Sequence, residues 1–526
     1  MRPLNWEILL DEQARVLGDK PFLYVVYQDR YISYREMNSN ANRVANYLLQ
    51  AGGGPGVGIA MLMNNSPQFL DIFFGMQKLG MYANTVNTSL KGDGLAYIID
   101  NSDCRLLVVD YDLLDLYRSV EKKTPQIKKV IVNTLEAPLG YKVPEGMLDL
   151  RDAYAGDISD TRPEIDFPDD SVLLLMYTSG TTGLPKGVVY RYNKHQLDGL
   201  KMIANFCLQP DWVYYTCLPL FHGNALFVTT SQVLAIGCTM ALSKRFSASR
   251  FWDEIRQSKA NIFNSIGAMI PILMKQPEKP SDTGHSVVRV NSAACPAEMW
   301  EPFEKRFNVK IWEAYAAIDG SGLIANFGNA PVGSIGRPMV SEIRLVDENW
   351  NDVPVGSVGE LLFKVPENSR SKVEYYKNKE ASEKKTRGGW ESTGDLMYQD
   401  EEGFLYFVGR NTESMRRRGE NVSAFEVENA ILKHPAVLEC AVYPVPSELA
   451  EDDIMVTYSL VEGASLEPRE LVEFLQDKLA RFAIPRYYRE VKEFPKTETH
   501  RIIKRELQEL GVTADTFDNE KAAVKI

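Results

Sequence analysis

Ser171-Val172-Leu173-Leu174-Leu175-Met176-Tyr177-Thr178-Ser179-Gly180-Thr181-Thr182-Gly183-Leu184-Pro185-Lys186-Gly187 joins an unbroken apolar run to a turn crowded with hydroxyls, glycines and a lysine. Residues 171–177 read as a buried strand, and a strand that delivers a loop at its carboxyl end is where open α/β sheets bind ligands. Glycines let backbone N–H groups close on an anion, and hydroxyls add donors to phosphate oxygens. The GxxxxGK[ST] spacing of a Walker loop is absent. Composition alone would equally fit a Ser/Thr-rich surface turn; the order of residues favours a phosphate loop.

Upstream, strand-like and helix-like stretches alternate. A helical stretch, 34–50, ends at Gly52-Gly53-Gly54-Pro55-Gly56. Residues 57–63 are short and apolar, 67–79 have helical spacing, and 106–109 and 129–132 are β-rich. Such alternation predicts an α/β core of parallel strands and crossover helices. Downstream, from Gly333 to about Val408, patterns such as Ser341-Glu342-Ile343-Arg344-Leu345-Val346 and Gly359-Glu360-Leu361-Leu362-Phe363-Lys364 predict a small β subdomain. After Gly409-Arg410 the pattern changes again and charge increases, so a boundary is expected there. At about 150 residues per domain, 526 residues suit several folding units. The expected architecture is a large N-terminal α/β domain, 1–409, containing a β subdomain at about 333–408, followed by a small mobile α+β domain, 410–526.

A formal charge of −12 argues against nucleic acid as the main partner, because phosphate backbones are bound by surplus Lys and Arg. The six cysteines form no close pair, which indicates neither zinc nor a disulfide framework but reduced core thiols. The N-terminus lacks an apolar signal core, and no run reaches the roughly 18 apolar residues of a membrane span. The nearest, 225–242, is broken by Thr229-Thr230-Ser231-Gln232. A soluble, cytoplasmic protein is expected, with peripheral membrane contact and oligomeric state left open.

The loop at 177–187 resembles the signature of the adenylate-forming superfamily, which includes acyl-CoA synthetases, luciferases and peptide-synthetase adenylation domains. Leu218-Pro219-Leu220-Phe221-His222, Gly359-Glu360-Leu361, Ser392-Thr393-Gly394-Asp395 and Gly409-Arg410 match in the same order. Lys244-Arg245-Phe246-Ser247-Ala248-Ser249-Arg250-Phe251-Trp252, Asn87-Thr88-Ser89-Leu90 and Arg418-Gly419-Glu420-Asn421-Val422-Ser423 look like the fatty-acid transport protein branch, close to very-long-chain acyl-CoA synthetases. Gly-Glu-Asn-Val-Ser also occurs in carnitine- and crotonobetaine-type CoA ligases. Animal transport proteins of this branch carry an N-terminal membrane anchor that this chain is expected to lack.

The resemblance implies an ATP-dependent carboxylic acid:CoA ligase. A carboxylate attacks the α-phosphorus, pyrophosphate leaves, and the acyl group then passes from AMP to CoA. Both first reactants are anions, so alignment and charge neutralisation must do most of the catalysis, with Mg²⁺ as the expected counter-charge. By resemblance, Thr178, Ser179, Gly180, Thr181, Thr182, Gly183 and Lys186 hold the phosphates. Ser292, Ala293 and Ala294 lie against adenine, with Ala314 and Tyr315 nearby. Asp395 takes the ribose, Arg410 touches ribose or phosphate, and Thr181 and Asp319 serve the metal. His222 and Gly267 border the acyl site, Glu413 is the hinge, and Arg416, Arg418, Gly419 and Glu420 meet CoA, with Arg417 beside them. Plainer readings stand alongside: His222 as a satisfied structural histidine, Gly419 as a turn glycine, and Arg416-Arg417-Arg418 as a solvated turn. The branch implies a fatty acid as substrate; carnitine-like, bile-acid-like or other bulky carboxylates are the alternatives.

Two departures from the family pattern matter. Relatives read Tyr-Gly-x-Thr-Glu where this chain has Tyr315-Ala316-Ala317-Ile318-Asp319, which shortens the carboxylate and loses a hydroxyl; Asp319 could instead cap a helix beginning at Gly320. Near the C-terminus, His500 and Arg501 replace the usual Gly-Lys, with Lys504 as a trailing lysine. Arginine keeps the charge but presents a planar fork. Either Arg501 serves as the adenylation cation, or the protein is a catalytically impaired nucleotide- or acyl-binding protein.

Overall fold

The structure is a computed structural model. It describes residues 6–178, 184–192, 204, 207–266, 269–339, 341–365, 372–410, 414–417, 420–446, 452–476, 478–479, 481, 483–497 and 502–523; at Arg410, Arg416 and Glu420 it describes the backbone. Among the described residues, Val172–Thr178 lies in a seven-stranded sheet. The order is Leu148–Asp149, Lys129–Asn133, Leu106–Asp110, Gly58–Leu62, Tyr82–Thr85, Val172–Thr178, Lys186–Arg191. Neighbours run parallel except for the last pair, which is antiparallel.

The apolar runs follow from burial on both faces. Ile59, Met61, Leu106 and Val108 enter one core, while Ala60, Leu62, Leu107 and Val109 enter another on the opposite side. A period of two with both faces covered favours apolar side chains at successive positions. Helices start where the sequence supplies caps. Ser33 accepts from the Glu36 N–H at 3.1 Å and opens Tyr34–Gln50. Ser66 caps Pro67–Gln77, whose proline sits in the first turn and whose residues are all buried.

A second, nine-stranded sheet runs in the order Arg337–Pro338, Ile324–Ala325, Lys310–Tyr315, Arg289–Ala293, Ile262–Ile266, Val213–Thr216, Thr239–Leu242, Pro21–Val25, Arg30–Ser33. Its middle is parallel and its edges antiparallel. Helices 6–17, 34–50 and 67–77 share a core with it and with one face of the first sheet. A third, antiparallel sheet of Ile343–Val346, Gly359–Lys364, Trp390–Gln399, Thr386–Arg387 and Leu405–Arg410 forms the small β unit. Its Leu361, Phe363, Met397 and Leu405 pack with Ile324 and Ile335.

Beyond it, a ribbon of Ser414–Arg417 and Glu420–Ser423 precedes a four-stranded sheet of Val437–Pro446, Asp452–Leu460, Tyr487–Glu490 and Phe517–Asp518. These C-terminal elements have cores of their own. Lys275, from the N-terminal part, donates to the carbonyls of Val437 and Leu438 at 2.6 and 2.5 Å. The six cysteines are free, five of them buried. Among the described residues no helix is long and apolar enough to cross a membrane. No helix begins at Gly320: the segment turns, with the Gly320 N–H donating to the Ala317 carbonyl at 3.1 Å, so Asp319 is not a helix cap.

Candidate functional site

The two ends of the hydroxyl-rich turn are clamped together. Thr178 pairs with Lys186 across the antiparallel ladder, and its hydroxyl reaches the Lys186 carbonyl at 3.5 Å. A further stretch then adds to the return strand. The Tyr376 N–H donates to the Gly187 carbonyl at 2.7 Å, and the Val189 N–H donates to that of Glu374 at 2.8 Å. This places buried Tyr375 beside Lys186, whose Nζ lies 5.2 Å from the ring centroid, within cation–π range. The Tyr375 hydroxyl donates to Asp319 Oδ2 at 2.6 Å, and Lys385 Nζ reaches the same oxygen at 3.2 Å. Lys186 therefore stands over the ring of this tyrosine and Asp319 at its hydroxyl. Burial alone would raise the Asp319 pKa, but the Lys385 ammonium and the Tyr375 hydroxyl outweigh it and hold the carboxyl below the usual carboxylate range.

The motif Ser392-Thr393-Gly394-Asp395 is braced by the motif Gly359-Glu360-Leu361. Glu360 of Gly359-Glu360-Leu361 accepts from the Ser392 hydroxyl and, at 3.1 Å, from the Gly394 N–H. The Thr393 hydroxyl donates to the Leu361 carbonyl at 2.7 Å, and Gly394 has φ +75°, which suits glycine. These contacts fix the bend that presents Asp395, a buried carboxylate opposite Arg410 in the ladder that accepts from the Tyr315 hydroxyl.

The small-residue stretch lies where the strand Arg289–Ala293 ends, with Ala294 at φ +71°. Glu313 on the neighbouring strand accepts from the Ala294 N–H and, at 3.3 Å, from the Cys295 N–H. Burial pushes its pKa up to about 7, against the pull of Ser292 and the two backbone donors. Leu218-Pro219-Leu220-Phe221-His222 is held by Asn65, which donates to the Leu218 and Ser243 carbonyls and accepts from the Leu220 N–H. The His222 ring packs against Phe221, 4.7 Å between centroids. Gly223 is next to Ile318, since an added Cβ would stand 3.4 Å from that side chain. The Tyr190 hydroxyl donates to the Ile318 carbonyl at 2.5 Å, so the 218–222 stretch adjoins 315–319.

Ser179, Gly180, Thr181, Thr182, Gly183, Gly267, Glu413, Arg418, Gly419, His500 and Arg501 lie outside the described residues. Arg416 and Glu420 are on the ribbon backbone, where Arg416 pairs with Asn421 and Arg417 with Glu420. The Arg417 guanidinium is buried, paired with Asp453 and Glu520 and donating to the Ile484 carbonyl. Lys504 is held by Glu428 at 2.9 Å. Sequence reasoning missed Tyr375, Lys385, Glu313 and Asn65. Tyr375-Tyr376-Lys377-Asn378 has no signal of its own, and its role appears only through the strand it joins.

The strand Val172–Thr178 with its return at Lys186, the braced Asp395 and the small-residue shelf at 292–294 are tied into one region by the Lys186–Tyr375–Asp319, Tyr315–Asp395 and Glu313–Ala294 contacts. Residues 10–371 match the model of the AMP-binding enzyme family and 426–501 that of its C-terminal domain. The crotonobetaine/carnitine–CoA ligases of Salmonella heidelberg and Salmonella typhimurium are each 30% identical over 522 residues, covering 96% of this chain and 99% of theirs. Among solved structures, an anthranilate CoA ligase in complex with anthranoyl-AMP superposes with a TM-score of 0.85 at 25% identity, covering 100% of this chain and 99% of that one. An o-succinylbenzoate CoA synthetase from Bacillus subtilis shares the fold, with a TM-score of 0.80 at 23% identity over 96% of this chain and 98% of its own. The chain belongs to the AMP-binding enzyme family, in its acyl-CoA ligase class.

Proposed function

We propose that the residues assembled above carry out ATP-dependent activation of a carboxylic acid as its acyl-adenylate, followed by transfer to CoA. The observation that carries this reading is the Lys186–Tyr375–Asp319 chain at the mouth of the phosphate turn. In this reading Thr178, the turn 179–183 and Lys186 hold the β- and γ-phosphates, and Asp395 with Arg410 holds the ribose. The stretch 292–294 with Ala314 and Tyr315 holds adenine, and His222 and Gly267 border the acid. Glu413, Arg416, Arg418, Gly419 and Glu420 serve the second half-reaction, in a mobile domain that begins at residue 410.

A Mg²⁺ bound mainly through phosphates and water needs few protein donors, and Asp319, held ionised, suits it. The ion would neutralise phosphate charge, with Thr181 and Asp319 as its protein ligands.

For the acid, 30% identity with the crotonobetaine/carnitine–CoA ligases across 96% of this chain favours a carnitine-like carboxylate. A fatty acid is the competing substrate. A cytoplasmic location is part of the same proposal. The test is pyrophosphate release by the purified chain with ATP, Mg²⁺ and a panel of both acid classes. Steady acid-dependent release that requires CoA supports the ligase. Nucleotide binding without turnover on any acid would favour the impaired binding protein.

A further inference from the structure

A cavity of about 380 Å³ opens between the start of the strand Lys186–Arg191 and the helix Lys379–Lys385. Lys186, Lys384 and Lys385 line it, together with Tyr375, Asn378 and Glu380. The lysines are not equivalent. Lys384 is 75% exposed and paired with Glu380 at 2.7 Å, a solvated rim contact. Lys385 is 10% exposed, and its ammonium is brought to Asp319. The helix that carries it is fixed at its start, where Asn378 accepts from the Ala381 N–H and the Ser382 hydroxyl accepts from the Tyr375 N–H at 2.9 Å. Tyr375 thus sets the positions of Lys186, Asp319 and Lys385 together.

We propose that Lys385 is a phosphate-binding residue of the ligase, contacting the pyrophosphate portion of ATP from the side of the cavity opposite Lys186. This rests on the ligase reading and adds a residue to it. In the adenylation step a carboxylate oxygen bonds to the α-phosphorus while the bond from that phosphorus to the α–β bridging oxygen breaks. The bridging oxygen leaves with the electron pair, so negative charge accumulates on the departing pyrophosphate. A cationic cavity beside the phosphate turn is where that charge is best met, and an ammonium with most of its stem out of water meets it more strongly than a rim lysine does. An ammonium carries three N–H donors, so contact with Asp319 leaves donors for a phosphate oxygen.

Calorimetry of the full chain with pyrophosphate and, separately, with AMP tests this, alongside KM values for ATP and CoA. Lys385→Gln is expected to weaken pyrophosphate binding and raise the KM for ATP by roughly tenfold or more, the size of a lost charge-assisted hydrogen bond. AMP affinity and the KM for CoA should stay within about twofold on the same scale. Lys385→Arg should recover much of the loss, and Lys384→Gln should change little. Unchanged pyrophosphate binding in Lys385→Gln overturns the proposal, as does equal loss of pyrophosphate and AMP. A native chain that bound neither ligand would instead sink the ligase reading itself.

Discussion

Ionising Glu313 takes a carboxylate out of water at the foot of the 292–294 shelf, with only two backbone N–H groups and the Ser292 hydroxyl to offset the cost. Its pKa rises from an ordinary 4.5 to about 7 in the folded state. The folded protein therefore holds this proton more tightly than the unfolded chain does. The stability this provides is complete below about pH 4.5 and is lost as pH rises through 7. Glu313→Gln, still an acceptor, should remove that slope. The difference between variant and native unfolding free energies should shift by up to about 3 kcal/mol between pH 4.5 and pH 8. Parallel unfolding curves across that range would contradict the assignment. At Arg501 the expectation is kinetic: Arg501→Ala should slow adenylate formation at least tenfold, roughly the effect of losing a charge-stabilising contact, while sparing thioester formation from supplied acyl-adenylate. Equal loss of both half-reactions would place Arg501 elsewhere. At this scale, residues inside contiguous motifs were legible in sequence. Glu313 was not, because its partners Ala294 and Cys295 are joined to it only when two parallel strands align, and Tyr375 reaches Asp319 across 56 positions.

Among the elements, the antiparallel pair Gly359–Lys364 with Trp390–Gln399 relies on Glu360 to brace its bend. Glu360 accepts the Ser392 hydroxyl and the Gly394 N–H, and the bend aims Asp395. Glu360→Ala should cost about 1–3 kcal/mol of stability for donors left unpaired, and should raise the KM for ATP more than it lowers kcat, since it misplaces a binding group. A fall in kcat at constant KM would argue against a positioning role. The strands and helices themselves were largely readable. Caps at Ser33 and Ser66 and unbroken apolar runs mark elements through local physics alone. The order of strands in each sheet was not readable, since it is set by long crossovers whose ends carry no mark of their neighbours. The addition of 374–376 to the strand Lys186–Arg191 was invisible for the same reason.

For the molecule as a whole, Lys275 is one tie between the N-terminal part and the C-terminal sheet, alongside the packing of Phe407 on Phe425. Burial draws its pKa down to about 8, so at neutral pH it keeps its charge while donating to two carbonyls. Lys275→Met should leave the unfolding of each part nearly unchanged. It should shift the distance distribution between probes placed on the two parts, read by double electron–electron resonance. It should also change the ratio of the two half-reaction rates by roughly tenfold or more, the size of one lost hydrogen bond to a charged group. An identical distribution and ratio would make the contact incidental. The Lys275 contact was not readable in sequence, because a lone lysine after an apolar helix carries no local signature.

What Lys275 grasps is main chain, which every amino acid carries. Substitutions at positions 437 and 438 can alter side chains without removing the oxygens it holds. The seam should therefore tolerate divergence on its C-terminal side while staying sensitive to a single residue on the other. A hybrid that borrows its last hundred or so residues from a related ligase would inherit the attachment point without redesign.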